Sequence, residues 1–280
     1  MFMLRRIVCV IVAAVAVVGA LAVPAGASDD SRHGTRYYLA LGDSLAFGYQ
    51  PTKVFDQGYV NQLYADLHAG QPNLVLTNLG CPGETSRTLR VGGICPYPGG
   101  GSQLDTALAF LRAHRGKVHL VTIDIGGNDV DHCVSLATGI DLACFRQGLV
   151  TIALNLFAVV AQLRHAAPDA TIVGMTYYDT VLAAWLTGPA GQQLARQSLP
   201  LSHQFNGLLT LLYRLGRFRV ADVAGAFSTD DTTPLPGGVP LNVARICQWT
   251  WMCAPAPLGP DIHANTAGYG VIAKAFEAVL

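Results

Sequence analysis

Two kinds of apolar pattern alternate along this chain. Short apolar runs have the length and composition of buried β-strands, and the longer segments between them carry apolar residues every three or four positions, as on one face of a helix. The short runs predict strands over residues 36–41, 73–78, 117–125, 170–176 and 218–223. The helical spacing predicts helices over residues 58–68, 145–167, 192–215 and 266–280, and one more that begins after Ser102.

This alternation of strands and helices is typical of an α/β fold whose parallel sheet is covered on both faces. Right-handed crossover connections then limit the topology to a three-layer sandwich around a parallel, five-stranded, flavodoxin-like sheet. Two segments, residues 80–101 and 228–262, are rich in glycine and proline and predict long loops. Pro200 is expected to break or kink the helix in which it lies.

The first 27 residues have the pattern of a secretory signal peptide. Arg5 and Arg6 precede an apolar run over residues 7–23, and the small residues Ala-Gly-Ala at 25–27 suit a cleavage site. We expect cleavage after Ala27, secretion of the protein, and one domain over residues 28–280. An uncleaved membrane anchor is the alternative, although this run is shorter than the ~20 residues of a comfortable membrane span.

The composition of the chain argues against a nucleic-acid-binding protein. Of its 280 residues, 51% are hydrophobic and 13% are charged, and the formal net charge is zero. Removal of residues 1–27 takes away two arginines and leaves 16 basic against 18 acidic residues. The chain has no block of like charges, so we expect no nucleic-acid partner.

Six cysteines remain after residue 27, and an even number in an exported chain suggests disulfides, although six cysteines allow fifteen pairings. Pairing of sequence neighbours is the simplest arrangement: Cys81–Cys95, Cys133–Cys144 and Cys247–Cys253. A metal site is the alternative. The cysteines lack the Cys-x-x-Cys spacing of common zinc sites, so we expect neither a metal nor an organic cofactor.

Three polar motifs follow the first three predicted strands. Ser44 lies within Gly-Asp-Ser-Leu after the first strand, Gly80 follows the second, and Asn128 lies within Gly-Gly-Asn-Asp after the third. Because the carboxyl ends of parallel strands lie at one edge of a sheet, we expect these residues to converge there. Each also fits an ordinary role, as a helix N-cap, a turn glycine and an Asx-turn residue. Together they match the needs of acyl transfer.

A serine nucleophile needs a base close by, because its hydroxyl is a poor nucleophile near neutral pH. His263, within Asp-Ile-His before the last helix, is favoured over His132, which lies four residues after Asn128 and is the main competitor. Attack on an ester places negative charge on oxygen, which preset donors must stabilise. The candidate donors are the backbone N–H groups of Ser44 and Gly80 and the side-chain amide of Asn128.

With these motifs in this order, the chain resembles the SGNH (GDSL-type) hydrolases, which are lipases and esterases of flavodoxin-like fold. The resemblance spans nearly all of residues 28–280 and implies that Ser44 is the nucleophile and His263 the base. It further implies an oxyanion hole formed by Ser44, Gly80 and Asn128. The six cysteines are similar to the three-disulfide arrangement of secreted actinobacterial members.

One block departs from the family pattern. The usual motif has an aspartate three residues before the histidine, where this chain has Pro260, and Asp261 lies two residues before His263. The imidazole is therefore held either by the Asp261 carboxylate or by the Pro260 carbonyl. A carboxylate stabilises an imidazolium better than a neutral carbonyl does, so we take Asp261 as the third catalytic residue.

The sequence thus predicts a secreted carboxylic-ester hydrolase, a lipase or esterase, that forms an acyl-enzyme on Ser44. The expected substrate is a small-molecule or lipid ester, with transient contact to a membrane or lipid surface, and the protein is expected to be a monomer. The alternatives are a carbohydrate deacetylase and a catalytically inactive exported binding protein. Seven apolar or aromatic residues are candidates for an acyl groove: Tyr49, Tyr177, Tyr178, Trp185, Leu186, Trp249 and Trp251.

Overall fold

The computed structural model describes residues 34–135 and 138–280, so the predicted signal peptide lies outside the described residues. In chain order the strands are β1 (Arg36–Gly42), β2 (Leu74–Asn78), β3 (Val118–Asp124), β4 (Val134–Ser135), β5 (Gly139–Ile140), β6 (Thr171–Met175) and β7 (Arg219–Ala221). The α-helices are α1 (Ser44–Phe47), α2 (Tyr59–Gly70), α3 (Ser86–Val91), α4 (Gln103–Ala113), α5 (Leu142–Ala166), α6 (Pro189–Leu215), α7 (Val223–Ala226), α8 (Leu241–Trp249) and α9 (Thr266–Glu277). Three 3₁₀ segments cover Gly127–Asp129, Asp131–Cys133 and Thr180–Thr187.

Five strands form one parallel sheet in the order β2-β1-β3-β6-β7, and β4 and β5 form a separate small hairpin. Right-handed crossovers place α2 on one face of this sheet and α4, α5 and α6 on the other, because the chain reverses its direction of travel after β2. Helix α9 contacts α2 and therefore covers the first face. The predicted three-layer α/β sandwich is confirmed.

The core lies on both faces of the central strands. In β1 the four residues 38–41 are completely buried, and in β3 the residues 120–124 are all buried. Strands buried on both faces show continuous apolar runs rather than alternation, which is why these two strands stand out in the sequence. Among the described helices, only α5 has the length and hydropathy of a membrane span. Its stripe of Ile152, Leu156, Val160 and Leu163 packs in the core, which accounts for its apolar character.

Two local predictions are wrong, and one of the two outcomes expected at Pro200 does not occur. The predicted loop over residues 80–101 contains α3, whose first turn is closed by a capping box between Thr85 and Thr88. The predicted loop over residues 228–262 contains α8, whose periodicity is hidden because so few of its residues are buried. Pro200 does not break α6, which continues through it. Pro200 is exposed, so the backbone carbonyl that lacks a helical partner faces solvent.

The structure contains the three disulfides Cys81–Cys95, Cys133–Cys144 and Cys247–Cys253. The second bond connects the 3₁₀ turn after β3 to the start of α5, and the third connects α8 to the segment that leads to His263. His132 lies beside the second bond. His132, Cys133 and Cys144 lie close enough together to suggest a metal site. The two sulfurs are bonded to each other, however, so His132 is the one metal ligand that the three residues offer.

Candidate active site

Ser44 begins α1 at the carboxyl end of β1, and the turn that carries it is held from two sides. The preceding residue, Asp43, caps the helix by accepting the Leu45 N–H at 2.9 Å. Gly42 has φ +144°, and a Cβ there would lie 2.4 Å from the Asp124 carbonyl oxygen, so only glycine fits. The Gln103 side chain brackets the same residue, accepting the Gly42 N–H at 2.7 Å and donating to its carbonyl at 3.0 Å.

Asp124, at the end of β3, holds the turn that carries Ser44 in place through hydrogen bonds. One oxygen of its carboxyl group accepts the backbone N–H groups of Asp43 at 3.3 Å and Ala46 at 3.2 Å, and the other accepts the Tyr59 hydroxyl. Burial, with the nearby Asp43 as a second cause, raises the pKa of Asp124 well above its usual range. Through these three accepted hydrogen bonds Asp124 fixes the backbone around Ser44.

His263 meets Ser44 across a sequence separation of 219 residues. The distance from His263 Nε2 to Ser44 Oγ is 2.8 Å, and His263 Nδ1 lies 2.6 Å from Asp261 Oδ1. A carboxylate can only accept, so Nδ1 carries the ring proton and Nε2 accepts the serine hydroxyl. The group bonded to Nδ1 is the Asp261 carboxylate.

Contacts on both sides keep the His263 loop in place. The Trp251 N–H donates to the His263 carbonyl at 3.0 Å, and the Asp261 N–H donates to the Trp251 carbonyl at 3.2 Å. The Tyr178 hydroxyl donates to the Ile262 carbonyl at 2.9 Å. The ring of Tyr49 packs on the imidazole with its centroid 4.5 Å away.

His132, the competing base, does not reach Ser44 in the described structure. It is exposed on the 3₁₀ turn after β3, and its Nε2 lies 3.8 Å from Cys133 Sγ. Asp43 is not a base either, because its side chain caps α1 and accepts the Tyr177 hydroxyl at 2.9 Å. Burial raises the pKa of Asp43.

Asn128 lines the same cavity as Ser44 and is oriented by the loop after β2. Its side-chain amide donates one hydrogen to the Glu84 carbonyl at 2.9 Å, which leaves the second hydrogen for a ligand. The next residue, Asp129, accepts both the N–H and the hydroxyl of Ser86 at 2.7 Å. Adjacent residues of one turn thus connect the end of β3 to residues 84–86.

Gly80 is not positioned as the sequence suggested. Its N–H donates to Asn78 Oδ1 at 2.9 Å. The N–H groups on either side, of Leu79 and Cys81, bond to β1 carbonyls. The Gly80 N–H therefore points away from β1. Gly80 is needed for packing, since a Cβ there would lie 2.5 Å from the Phe47 nitrogen. The expected free donor is therefore already paired.

Gly83 offers a different amide in the same loop. Residues 81–84 form a turn closed by the Glu84 N–H on the Cys81 carbonyl at 3.1 Å, and Gly83 has φ +84°. Within residues 34–135 and 138–280 the Gly83 N–H has no hydrogen-bond acceptor. The sequence Cys-Pro-Gly-Glu signals this turn, because proline followed by glycine is typical of type II.

A cavity of about 520 Å³ extends from Ser44 and His263. Its walls are mainly apolar and come from the β4–β5 hairpin, the 3₁₀ segment Thr180–Thr187 and α6. Of the seven groove candidates, Tyr177, Tyr178 and Leu186 line it, whereas the other four lie elsewhere. Asp43, Asp131 and Asp179 are its acidic lining residues, and among the described lining residues none is a lysine or arginine. Burial raises the pKa of Asp179 to about 6.

Comparison with known proteins agrees with this geometry. The sequence matches the model of the GDSL-like lipase/acylhydrolase family over residues 40–271. No curated protein matches it. Similar solved structures include a phospholipase A1 from Streptomyces albidoflavus and an extracellular lipase from Streptomyces rimosus. Each is 18% identical with a TM-score of 0.55 and covers 88% of this chain and 100% of its own. A lipase from a goat rumen metagenome is 16% identical with a TM-score of 0.56, covering 88% and 97%. At this level of sequence identity, the similarity to these structures shows a shared fold.

Proposed function

The chain belongs to the GDSL-like lipase/acylhydrolase family, and on that basis we propose that it is a secreted carboxylic-ester hydrolase that forms an acyl-enzyme on Ser44. The observation that carries this proposal is the chain of hydrogen bonds from Ser44 through His263 to Asp261, at 2.8 and 2.6 Å. Nucleophile, base and orienting carboxylate are the three parts of a serine hydrolase site.

In the proposed reaction, His263 Nε2 takes the hydroxyl proton as Ser44 Oγ attacks the ester carbonyl carbon. Asp261 stabilises the imidazolium that results. The tetrahedral intermediate collapses when the carbon–oxygen bond to the alcohol breaks, and His263 Nε2–H gives its proton to the departing oxygen. A water molecule, deprotonated by His263, then attacks the acyl-enzyme and releases the carboxylic acid and free Ser44.

The oxyanion of the tetrahedral intermediate needs donors that are already oriented. The Asn128 amide supplies one from its second hydrogen, and the Ser44 N–H supplies another, since it has no acceptor within the described residues. For the third donor we propose the Gly83 N–H in place of that of Gly80, because Gly83 precedes the residue whose carbonyl holds Asn128. Removal of one such donor typically lowers turnover ~10²–10³-fold.

The mainly apolar cavity beside Ser44 supports an ester with a fatty acyl chain as the substrate. An alkyl chain buried there is stabilised by about 0.8 kcal/mol for each CH₂ group. Among the described lining residues no lysine or arginine is present to pair with an anionic group close to the scissile bond. The three disulfides support secretion, since such bonds persist in oxidising compartments.

Hydrolysis of p-nitrophenyl esters from acetate to palmitate by the purified protein tests this proposal. We expect Ser44→Ala and His263→Ala to lower kcat at least ~10⁴-fold, because members of such a triad act as a unit. His132→Ala is the matched histidine control and should keep the activity of the wild type. A serine-directed fluorescent phosphonate should label the wild type but not Ser44→Ala.

Equal rates for Ser44→Ala and the wild type would refute the acyl-enzyme, and absence of turnover at every chain length would favour an inactive binding protein. Cleavage of acetate alone would favour a deacetylase over an enzyme for longer acyl chains. N-terminal sequencing of secreted material tests cleavage after Ala27, and an intact Met1 would contradict it.

A further inference from the structure

Glu84 is a buried acid that the reaction described above does not use. Its side chain is 0% exposed, although glutamate is rarely buried without a partner. Its Oε1 has no hydrogen-bond partner, and its Oε2 has only a long contact of 3.4 Å from the Thr88 hydroxyl. A carboxylate in this position would be a poorly solvated charge, which proteins avoid by keeping the proton on the group.

The backbone of Glu84 holds two of the proposed oxyanion donors. Its carbonyl accepts the Asn128 amide at 2.9 Å, and its N–H closes the turn that presents Gly83, at 3.1 Å from the Cys81 carbonyl. The segment that orients both donors therefore carries this buried and nearly unpartnered carboxyl group. Movement of Glu84 would displace the Asn128 and Gly83 N–H groups together.

The electrostatic surroundings also disfavour ionisation of the Glu84 carboxyl group. The titratable groups on the neighbouring elements are Asp43, Tyr97, Asp105, Asp129 and, on outward faces, Arg87, Arg90 and Arg146. Among the described residues, no arginine, lysine or histidine forms a hydrogen bond or ion pair with Glu84. Burial, with Asp43 as a further cause, raises the pKa of Glu84 to about 7.

We propose that Glu84 is a positioning residue for the oxyanion donors and that it supports catalysis only as a neutral acid. This inference rests on the proposed ester hydrolysis. When Glu84 loses its proton, a negative charge appears in the segment that faces the oxyanion. It repels the charge of the tetrahedral intermediate and draws the turn toward solvent. Turnover then falls at alkaline pH.

The test compares kcat and KM from pH 5 to 9 for the wild type, Glu84→Gln and Glu277→Gln. Glu277 is the matched control because it is the only other glutamate in the chain and makes a surface ion pair with Lys274. We expect the wild type and Glu277→Gln to lose at least about tenfold in kcat above pH 8, with little change in KM. Glu84→Gln should keep kcat at pH 9, because its neutral amide cannot ionise.

A second readout does not depend on activity. In the Ser44→Ala background, the free energy of unfolding should fall between pH 4 and 7 more steeply when Glu84 is present than when it is replaced by glutamine, because the unfolded carboxyl group ionises first. If Glu84→Gln folds poorly, Glu84→Met provides the same comparison. Superimposable pH profiles of kcat for the wild type and Glu84→Gln would overturn the proposal. Equal slopes of the free energy of unfolding against pH, with and without Glu84, would overturn it as well. An enzyme without esterase activity would refute the proposed function alone, because the unfolding experiment would still report on Glu84.

Discussion

Asp261 reaches His263 from a position only two residues earlier in the chain, and this short spacing has a structural consequence. One oxygen, Oδ1, accepts both the His263 backbone N–H at 2.9 Å and the ring Nδ1–H at 2.6 Å. An aspartate that bonds the backbone two residues on forms an Asx-turn. The orientation of the imidazole is therefore coupled to the backbone of its own loop.

We expect Asp261→Asn to lower kcat by ~10²–10⁴-fold, because an amide does not stabilise the imidazolium and permits the wrong tautomer. KM should change little, since Asp261 is not among the residues that line the cavity. Asp231→Asn is the control, because Asp231 forms the same kind of turn with the Thr233 N–H at 2.9 Å, away from the site. An unchanged kcat in Asp261→Asn would transfer the orienting role to the Pro260 carbonyl.

Sequence patterns predict the residues of the site unequally. Ser44, Asn128 and His263 are found because each lies in a short motif just after a strand or before the last helix. Gln103 and Asp124 are missed, because a buried polar side chain that supports a backbone leaves no periodic signal. Gly80 is the donor assigned from the sequence, and Gly83 is not considered there. We propose the Gly83 N–H instead, because that of Gly80 is paired with Asn78 Oδ1. Both glycines follow β2, and only the hydrogen bonds of Leu79 and Cys81 show which way the intervening N–H points.

At the scale of elements, the segment after β2 has two different parts. Up to Cys81 it remains extended beside β1, and alternate N–H groups bond β1 carbonyls. After Cys81 it turns sharply at Pro82 and Gly83 and enters α3. The disulfide Cys81–Cys95 closes the loop that contains this turn and α3. The loop therefore has a fixed shape at the rim of the sheet.

A structure of the protein inactivated by an alkyl phosphonate tests which amide completes the oxyanion hole. We expect the phosphoryl oxygen to lie about 2.7–3.1 Å from the Ser44 nitrogen, Asn128 Nδ2 and the Gly83 nitrogen. The Gly80 N–H should remain bonded to Asn78 Oδ1. A phosphoryl oxygen bonded to the Gly80 nitrogen, with the Asn78 side chain rotated away, would restore the assignment made from the sequence.

Regular elements with long buried faces are predicted well, and short ones are not. The bounds of β1, β3 and α5 agree with the sequence patterns to within a few residues, because continuous burial produces a strong apolar signal. Helices α3 and α8 are only 6 and 9 residues long. Such short helices contain too few turns to give a recognisable period in the sequence. Both helices lie in long connections at the rim of the sheet, where prolines and glycines dominate the composition.

At the scale of the whole molecule, buried acids are the main electrostatic feature of the described residues. Burial is the largest cause of the raised pKa values of Asp43, Asp124, Asp179 and Glu84. The pKa is about 6 for Asp179 and about 7 for Glu84. A carboxyl group in the unfolded chain titrates near pH 4. From there to about pH 7 the unfolded chain ionises while the folded protein keeps its protons.

Stability should therefore fall as the pH rises from about 4 to about 7, because the unfolded state binds fewer protons over this range. Urea unfolding should give a higher midpoint at pH 5 than at pH 7.5. The lowered pKa values of Asp66 and Asp231 act in the opposite direction: they favour the folded state above about pH 4, and this contribution is lost as the pH falls below that value. Asp179→Asn should flatten the slope, and a midpoint that is constant or rises with pH would contradict this account.

The wide separation of Ser44 and His263 in the sequence also has a consequence during synthesis of the protein. A chain synthesised only as far as α8 already carries the nucleophile on β1, but it lacks its base and the helix α9 that packs against α2. Under the function proposed above, the incomplete chain lacks the base that Ser44 needs. The pair of Ser44 and His263 can form only after the segment that precedes α9 has been synthesised and has reached the end of β1.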